Sequence, residues 1–128
     1  MKKTTAKTAP FTRVSVLGLG YVGLPMAAIM ATRGIEVIGV DVTPSVVAKI
    51  NEGGIHIVEP GLDIVERGAV GAGRLRATAT PEAADAFIIA VPTPFKDGYV
   101  PDVSYCEAAA RAIAPVVKAG DLVVLEST

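Results

Sequence analysis

Residues 14–28, VSVLGLGYVGLPMAA, set Gly18, Gly20 and Gly23 between a β-branched apolar run and an alanine-rich one. Glycine costs backbone entropy and Pro25 lacks an N–H, so such a stretch makes sense only where bare backbone is needed. Residues 14–17 read as a buried strand, and residues 24–33 as a helix stopped by Gly34. The three glycines then form G-x-G-x-x-G in the strand–turn–helix setting that gives the pattern its meaning. Gly18 permits the tight exit from the strand, Gly20 removes a Cβ where a pyrophosphate approaches, and Gly23 lets the helix pack closely. N–H groups near Tyr21 and Val22, at the positive end of the helix dipole, can donate to phosphate oxygens. Pro25 falls in the first helical turn, where a missing N–H costs little.

The rest of the chain alternates in the same way. Residues 35–40 form an apolar strand, and Thr43 as N-cap with Pro44 opens a helix whose buried stripe is Val46, Val47 and Ile50. Gly53-Gly54 end it, residues 55–60 are a loop, and residues 61–70 a short helix. A weak strand is expected near residues 75–77, and Thr80-Pro81 looks like a cap before a helical turn. Residues 85–91, DAFIIAV, are a buried strand, residues 92–101 a long loop, residues 102–115 a helix capped by Asp102, and residues 121–125 a final strand. Alternating strands and helices with apolar strands imply an open parallel sheet with right-handed crossovers. The expected fold is α/β, a Rossmann-type doubly wound parallel sheet in a single domain over residues 14–128, preceded by a flexible tail at residues 1–13.

Two more positions sharpen the glycine signal. Asp41 closes the second strand, where an acid can accept hydrogen bonds from an adenosine ribose diol and would repel a 2′-phosphate. The segment after it, VTPSVV, holds no arginine for such a phosphate, which favours NAD over NADP. Val91-Pro92-Thr93-Pro94 follows the DAFIIAV strand at the carboxyl edge of the sheet, where ligands of such folds lie, and Thr93 supplies a hydroxyl there. Glu126-Ser127-Thr128 falls at the same edge.

Composition bounds the alternatives. The 128 residues are 51% hydrophobic and 20% charged with a formal net charge of −1, which suits one globular domain and advertises neither a nucleic-acid nor a membrane-surface partner. No run reaches the roughly 18 apolar residues of a membrane helix. Cys106 is the sole cysteine, which excludes an internal disulfide and agrees with a cytoplasmic location. The chain stops at the tip of an apolar strand, which reads as a piece of a longer protein.

Taken in order, GLGYVGLP, the GVD closing the second strand, HIVEPGL, AVPTPF, PDVSY and LEST resemble the N-terminal domain of the UDP-glucose/GDP-mannose dehydrogenase family, from about residue 14 to residue 128. Within it, GIHIVEP followed by AVPTPF is most similar to members that oxidise UDP-N-acetyl-D-mannosamine, with UDP-glucose and UDP-N-acetylglucosamine as the other candidate substrates. The resemblance implies a four-electron oxidation of a sugar C6 alcohol to a carboxylate, two NAD being reduced and a cysteine thiohemiacetal holding the intermediate. It also implies polysaccharide biosynthesis as the setting and a homo-oligomer when full length. By motif match, Tyr21 and Val22 carry over as pyrophosphate contacts, Asp41 as ribose acceptor, and Thr93 and Thr128 as groups near the nicotinamide. The expected cofactor-binding set is Gly18, Gly20, Tyr21, Val22, Gly23, Asp41, Val91, Pro92, Thr93 and Thr128, with no metal ligand and no catalytic residue in these 128 positions. One departure stands out: where several family members carry a basic residue five positions after the ribose acid, this chain has Val46.

Other chemistry-bearing residues read more plainly. Cys106 sits beside Glu107, whose charge disfavours a thiolate, so it is expected to pack or face solvent. His56 is the sole histidine and makes no metal site by itself; it is expected to pack in its loop, a contact near the bound nucleotide being the lesser alternative. Glu59 is expected to cap the helix after it, Arg74 and Arg76 to be a solvated pair on an edge strand, and Lys96 and Tyr99 lie where they could close over the groove. A stand-alone nucleotide-sensing module is the rival reading. A β-hydroxyacid dehydrogenase is disfavoured, because Asn-Arg would be expected where Val40-Asp41 stands.

Overall fold

The computed structural model describes residues 11–126. Five strands, β1 (Arg13–Leu17), β2 (Glu36–Val40), β3 (Leu75–Thr78), β4 (Ala86–Ile89) and β7 (Leu122–Leu125), form one sheet in the order β3-β2-β1-β4-β7. All its pairings are parallel, with Val14 level with Val37 on one side and Ala86 on the other. The apolar strands are what parallel sheets require, since helices cover both faces. One face carries α1 (Gly23–Thr32), α2 (Pro44–Asn51) and α3 (Leu62–Gly71) over Val14, Val16 and Val37. The other carries α4 (Ser104–Ile113), whose Ala109 and Ile113 pack with Leu17, Ile38 and Phe87.

The expected cap and helical turn at Thr80-Pro81 are absent. After Thr78 the chain runs irregularly through residues 79–85 before β4 begins. Distance explains this: β3 and β4 are separated by β2 and β1, about 14 Å at the usual strand spacing. Ala86 also lies level with Leu75, at the opposite end of β3 from Thr78. Eight helical steps would cover only about 12 Å, whereas extended chain reaches about twice that. Ala84 is buried beneath this crossing, and a two-point Arg76–Glu82 pair, 2.9 and 2.6 Å, holds its outer side.

Smaller corrections concern element ends. Thr43 is the N-cap position of α2, but its side chain makes no capping bond. Asp102 lies one residue outside the N-cap, Val103, and its Oδ1 accepts the Ser104 N–H at 3.0 Å. The helix ends at Ile113 because Pro115 has no N–H to continue the ladder. Glu59 does not cap α3; Gly61 does so by position at φ +82°, and the Glu59 main-chain carbonyl takes the Leu62 N–H. The long loop after β4 contains a short antiparallel hairpin, β5 (Phe95–Lys96) and β6 (Val100–Pro101), with Phe95 and Tyr99 edge to face at 6.0 Å.

Two side chains secure the sheet. The Asn51 amide, at the end of α2, donates to the Ala77 carbonyl at 2.9 Å and accepts the Ala77 N–H at 2.8 Å. It thereby satisfies the outward backbone groups of Ala77 on edge strand β3, which would otherwise be open to pairing. Asp85 Oδ2 accepts the N–H groups of Thr12 and Arg13 at 2.9 and 3.0 Å, tying the start of β1 to that of β4. Arg76 is indeed on an edge strand but is ion-paired, and Arg74 donates to the Gly34 carbonyl at 3.0 Å. Neither is simply solvated.

Glu66 is the anomaly of the core. It is fully buried on the inner face of α3 with Leu62 and Ala69, and neither carboxylate oxygen has a partner among the described residues. Burial pushes its carboxyl up to about 7, with Arg67 alongside pulling it back.

Candidate functional site

The glycine turn leaves β1 at the carboxyl edge of the sheet, where β1 sits between β2 and β4. Gly18 has φ +95°, and a Cβ there would lie 2.7 Å from the Ala90 carbonyl oxygen, so only glycine fits. A Cβ at Gly23 would collide with the Gly18 carbonyl oxygen, which lets α1 start directly against the turn. Gly20 differs from both. A Cβ there would meet nothing within 4 Å, because the position faces an open groove. Its bareness serves whatever enters that groove and not the packing of the chain.

The local main chain has donors in hand. The Gly20 carbonyl accepts the Leu24 N–H at 3.0 Å, while the N–H groups of Gly20, Tyr21 and Val22 donate to no acceptor among the described residues. The first turn of α1 holds no acidic side chain and no side-chain cap. Its partial positive charge is therefore left uncompensated, the usual condition for anion binding at a helix N-terminus.

Asp41 is joined to this turn directly. Its Oδ2 accepts the Leu19 N–H at 3.0 Å, and its Oδ1 accepts the Thr43 N–H at 3.0 Å. The Gly18 N–H reaches the Val40 carbonyl at 2.8 Å, so the end of β2 is stitched to the turn at two points. A carboxylate offers about four acceptor sites. Two hold the carboxylate still, which leaves about two more unused. Gly39 assists from below: a Cβ there would strike the Leu19 side chain at 2.8 Å, so its absence lets Leu19 settle under the turn.

The groove has a volume of about 620 Å³, within the range of cofactor sites. Gly18, Gly20, Tyr21, Val22 and Asp41 line it, as do Val91, Pro92 and Thr93 from the opposite wall. Of the expected set, Gly23 lies behind the turn as a packing residue, and Thr128 falls outside the described residues. Cys106 is a half-buried free thiol on α4 and does not line the groove; nor do Glu59, Lys96 or Tyr99. Residues outside the expected set also line it: Val46 from α2, His56 from the loop before α3, and Tyr105 with Ala108 and Ala112 from α4. The one available signal for α4 was its run of small side chains, which keep the helix surface low where a planar group would lie. Among the described residues no cluster of three or more His, Cys, Asp or Glu is placed to hold a metal, and no helix is long and apolar enough to cross a membrane.

Unengaged amides at a helix start, an anchored acid on the adjacent strand and a groove at the reversal of strand order define a Rossmann-type dinucleotide-binding domain. The residues fit the cofactor on their own geometry: Gly20 makes room, the turn supplies donors, and Asp41 supplies acceptors. Comparison with known proteins then narrows the class. A family model described as "UDP-glucose/GDP-mannose dehydrogenase family, NAD binding domain" matches residues 12–128, and the chain belongs to that family.

It is 65% identical over 118 residues to an NDP-N-acetyl-D-galactosaminuronic acid dehydrogenase of Ralstonia nicotianae, covering 92% of this chain and 28% of the relative. It is 60% identical over 119 residues to a UDP-N-acetyl-D-mannosamine dehydrogenase of Campylobacter jejuni, covering 92% and 29%. A UDP-N-acetyl-mannosamine dehydrogenase structure from Staphylococcus aureus superimposes with TM-score 0.88 at 42% identity, covering 91% of this chain and 29% of that one. The chain therefore spans less than a third of the length of the curated relatives it matches.

Proposed function

We propose that this chain is the NAD-binding part of a UDP-sugar 6-dehydrogenase that oxidises the C6 alcohol of UDP-N-acetyl-D-mannosamine to the uronic acid, two NAD being consumed in a four-electron reaction. The observation that carries the nucleotide reading is the Leu19 N–H to Asp41 bond at 3.0 Å, which sets the ribose acceptor beside the phosphate-facing turn. NAD, when bound, supplies the hydride acceptor.

The chain's own residues bind and orient it. The Gly20, Tyr21 and Val22 amides donate to the diphosphate, and each such bond to a charged oxygen contributes about 1.5–3 kcal/mol. Asp41 accepts from the ribose diol and repels a 2′-phosphate, which sets the preference for NAD over NADP. Val91, Pro92 and Thr93 form the wall on the nicotinamide side. Chemistry on the sugar belongs to groups beyond residue 128, so residues 1–128 alone bind the cofactor without turning over a UDP-sugar. We place the complete enzyme in the cytoplasm as a homo-oligomer serving polysaccharide biosynthesis.

A second reading has its own support. The 65% identity to an enzyme named for N-acetyl-D-galactosaminuronic acid favours a nucleotide-linked N-acetylgalactosamine sugar as substrate. A panel of UDP-sugars assayed with the full-length protein separates the two. For the cofactor, NADH and NADPH are titrated against the wild type and Asp41→Ala. Wild type is expected to prefer NADH, and the substitution to weaken NADH by about 1–3 kcal/mol. Equal NADH affinity in both proteins would remove Asp41 from the site.

A further inference from the structure

The charge of the groove poses a problem that the amides alone answer only in part. Among the described residues lining it are two carboxylates, Asp41 and Glu126, and no lysine or arginine. A dinucleotide brings two more negative charges into that space. The one lining side chain able to become a cation is His56.

Its placement suits that role. Ile57 is buried in the cluster that contains Leu19, within the glycine turn, and Leu24, just after it. The next residue back, His56, is exposed and faces the groove that Tyr21 and Val22 also line. The loop leads into α3, which packs against α1, and His56 shares the groove lining with Gly20, Tyr21 and Val22 at the start of α1. The nearby cations point elsewhere: the Lys49 stem lies along Gly54, the Arg67 stem along Gly53, and neither lines the groove. The remaining titratable groups on the flanking elements are Glu52 at the end of α2, Glu59 on the same loop, and Asp63 and the buried Glu66 on α3.

Resting on the nucleotide reading above, we infer that protonated His56 pairs with the cofactor's diphosphate and makes NAD affinity pH-dependent. Imidazole changes charge between about pH 5 and pH 8. Bound diphosphate favours the protonated form, so the added affinity is present at the acid end of that range and lost as pH rises.

The test is titration of NADH, ADP-ribose and adenosine against wild type and His56→Gln from pH 5.5 to 8.5, with thermal melts to verify folding of both. Wild-type affinity for NADH and ADP-ribose is expected to fall roughly three- to ten-fold relative to His56→Gln across the range. Adenosine, which has no diphosphate, should show no difference between the two proteins. Glu66 titrates alike in both, so its contribution cancels. NADH binding by wild type with the same pH profile as His56→Gln would overturn the His56 role alone, as would an adenosine profile that tracks that of NADH. Absence of NADH binding at every pH would overturn the nucleotide reading and His56 with it.

Discussion

Replacing Glu66 tests whether the core carries a buried acid that stays protonated at neutral pH. The carboxyl is 0% exposed and lacks any partner among the described residues, and burial pushes it up to about 7 from an ordinary value near 4.5. Between those values the folded state holds a proton that the unfolded chain has released, so stability falls as pH rises through the interval. At about 1.4 kcal/mol per pKa unit, the full interval amounts to about 3 kcal/mol.

Glu66→Leu removes the titrating group and fills the same space among Leu62 and Ala69. The assay is urea unfolding at half-unit steps from pH 4.5 to 8.5. The two proteins should differ least at pH 4.5, and the variant should be more stable by about 2–3 kcal/mol at pH 8. Glu66→Gln should also lose the pH slope while keeping an unsatisfied buried amide, at a cost of about 1–3 kcal/mol. Parallel stability profiles for wild type and Glu66→Leu would refute a neutral, buried Glu66.

Two glycines of the same motif should part company when replaced by alanine. Gly20→Ala, which meets nothing within 4 Å, should change stability by less than about 1 kcal/mol while sharply weakening NADH binding; Gly23→Ala, which strikes the Gly18 carbonyl, should lose both. Thermal melts beside NADH titrations check the pair, and a large stability loss in Gly20→Ala would contradict the assigned role. Asn51→Ala strips two bonds of 2.9 and 2.8 Å from Ala77 on the sheet edge, and should cost about 1–3 kcal/mol in unfolding experiments without altering NADH affinity at saturating fold.

Much of the site is written locally. Gly18, Gly20 and Gly23 share one turn, so their spacing alone conveys a tight exit, a bare approach and a close helix. Asp41 is legible because a strand end is a fixed address once the strand is recognised. Val91 to Thr93 follow by the same logic from the next strand. Failures came where a short signal met a long-range demand. Thr80-Pro81 carries a good helix-start pattern, yet a helix could not bridge from β3 across two strands to β4 in the residues available. Glu59 and Thr43 sit at capping positions, but backbone geometry, not their side chains, closes those helix starts.

By itself, the sequence determined the alternation of strands and helices, the parallel sheet, the tight glycine turn and the acid at the end of the next strand, because each depends on residues close together in the chain. Only the tertiary structure decided that Leu19 clamps Asp41, that Asn51 closes an edge strand, that His56 and α4 wall the groove, and that Glu66 is sealed among apolar side chains. These depend on which distant segments become neighbours, and a residue's charge or hydrogen-bonding capacity acquires its meaning only from the neighbours that folding supplies.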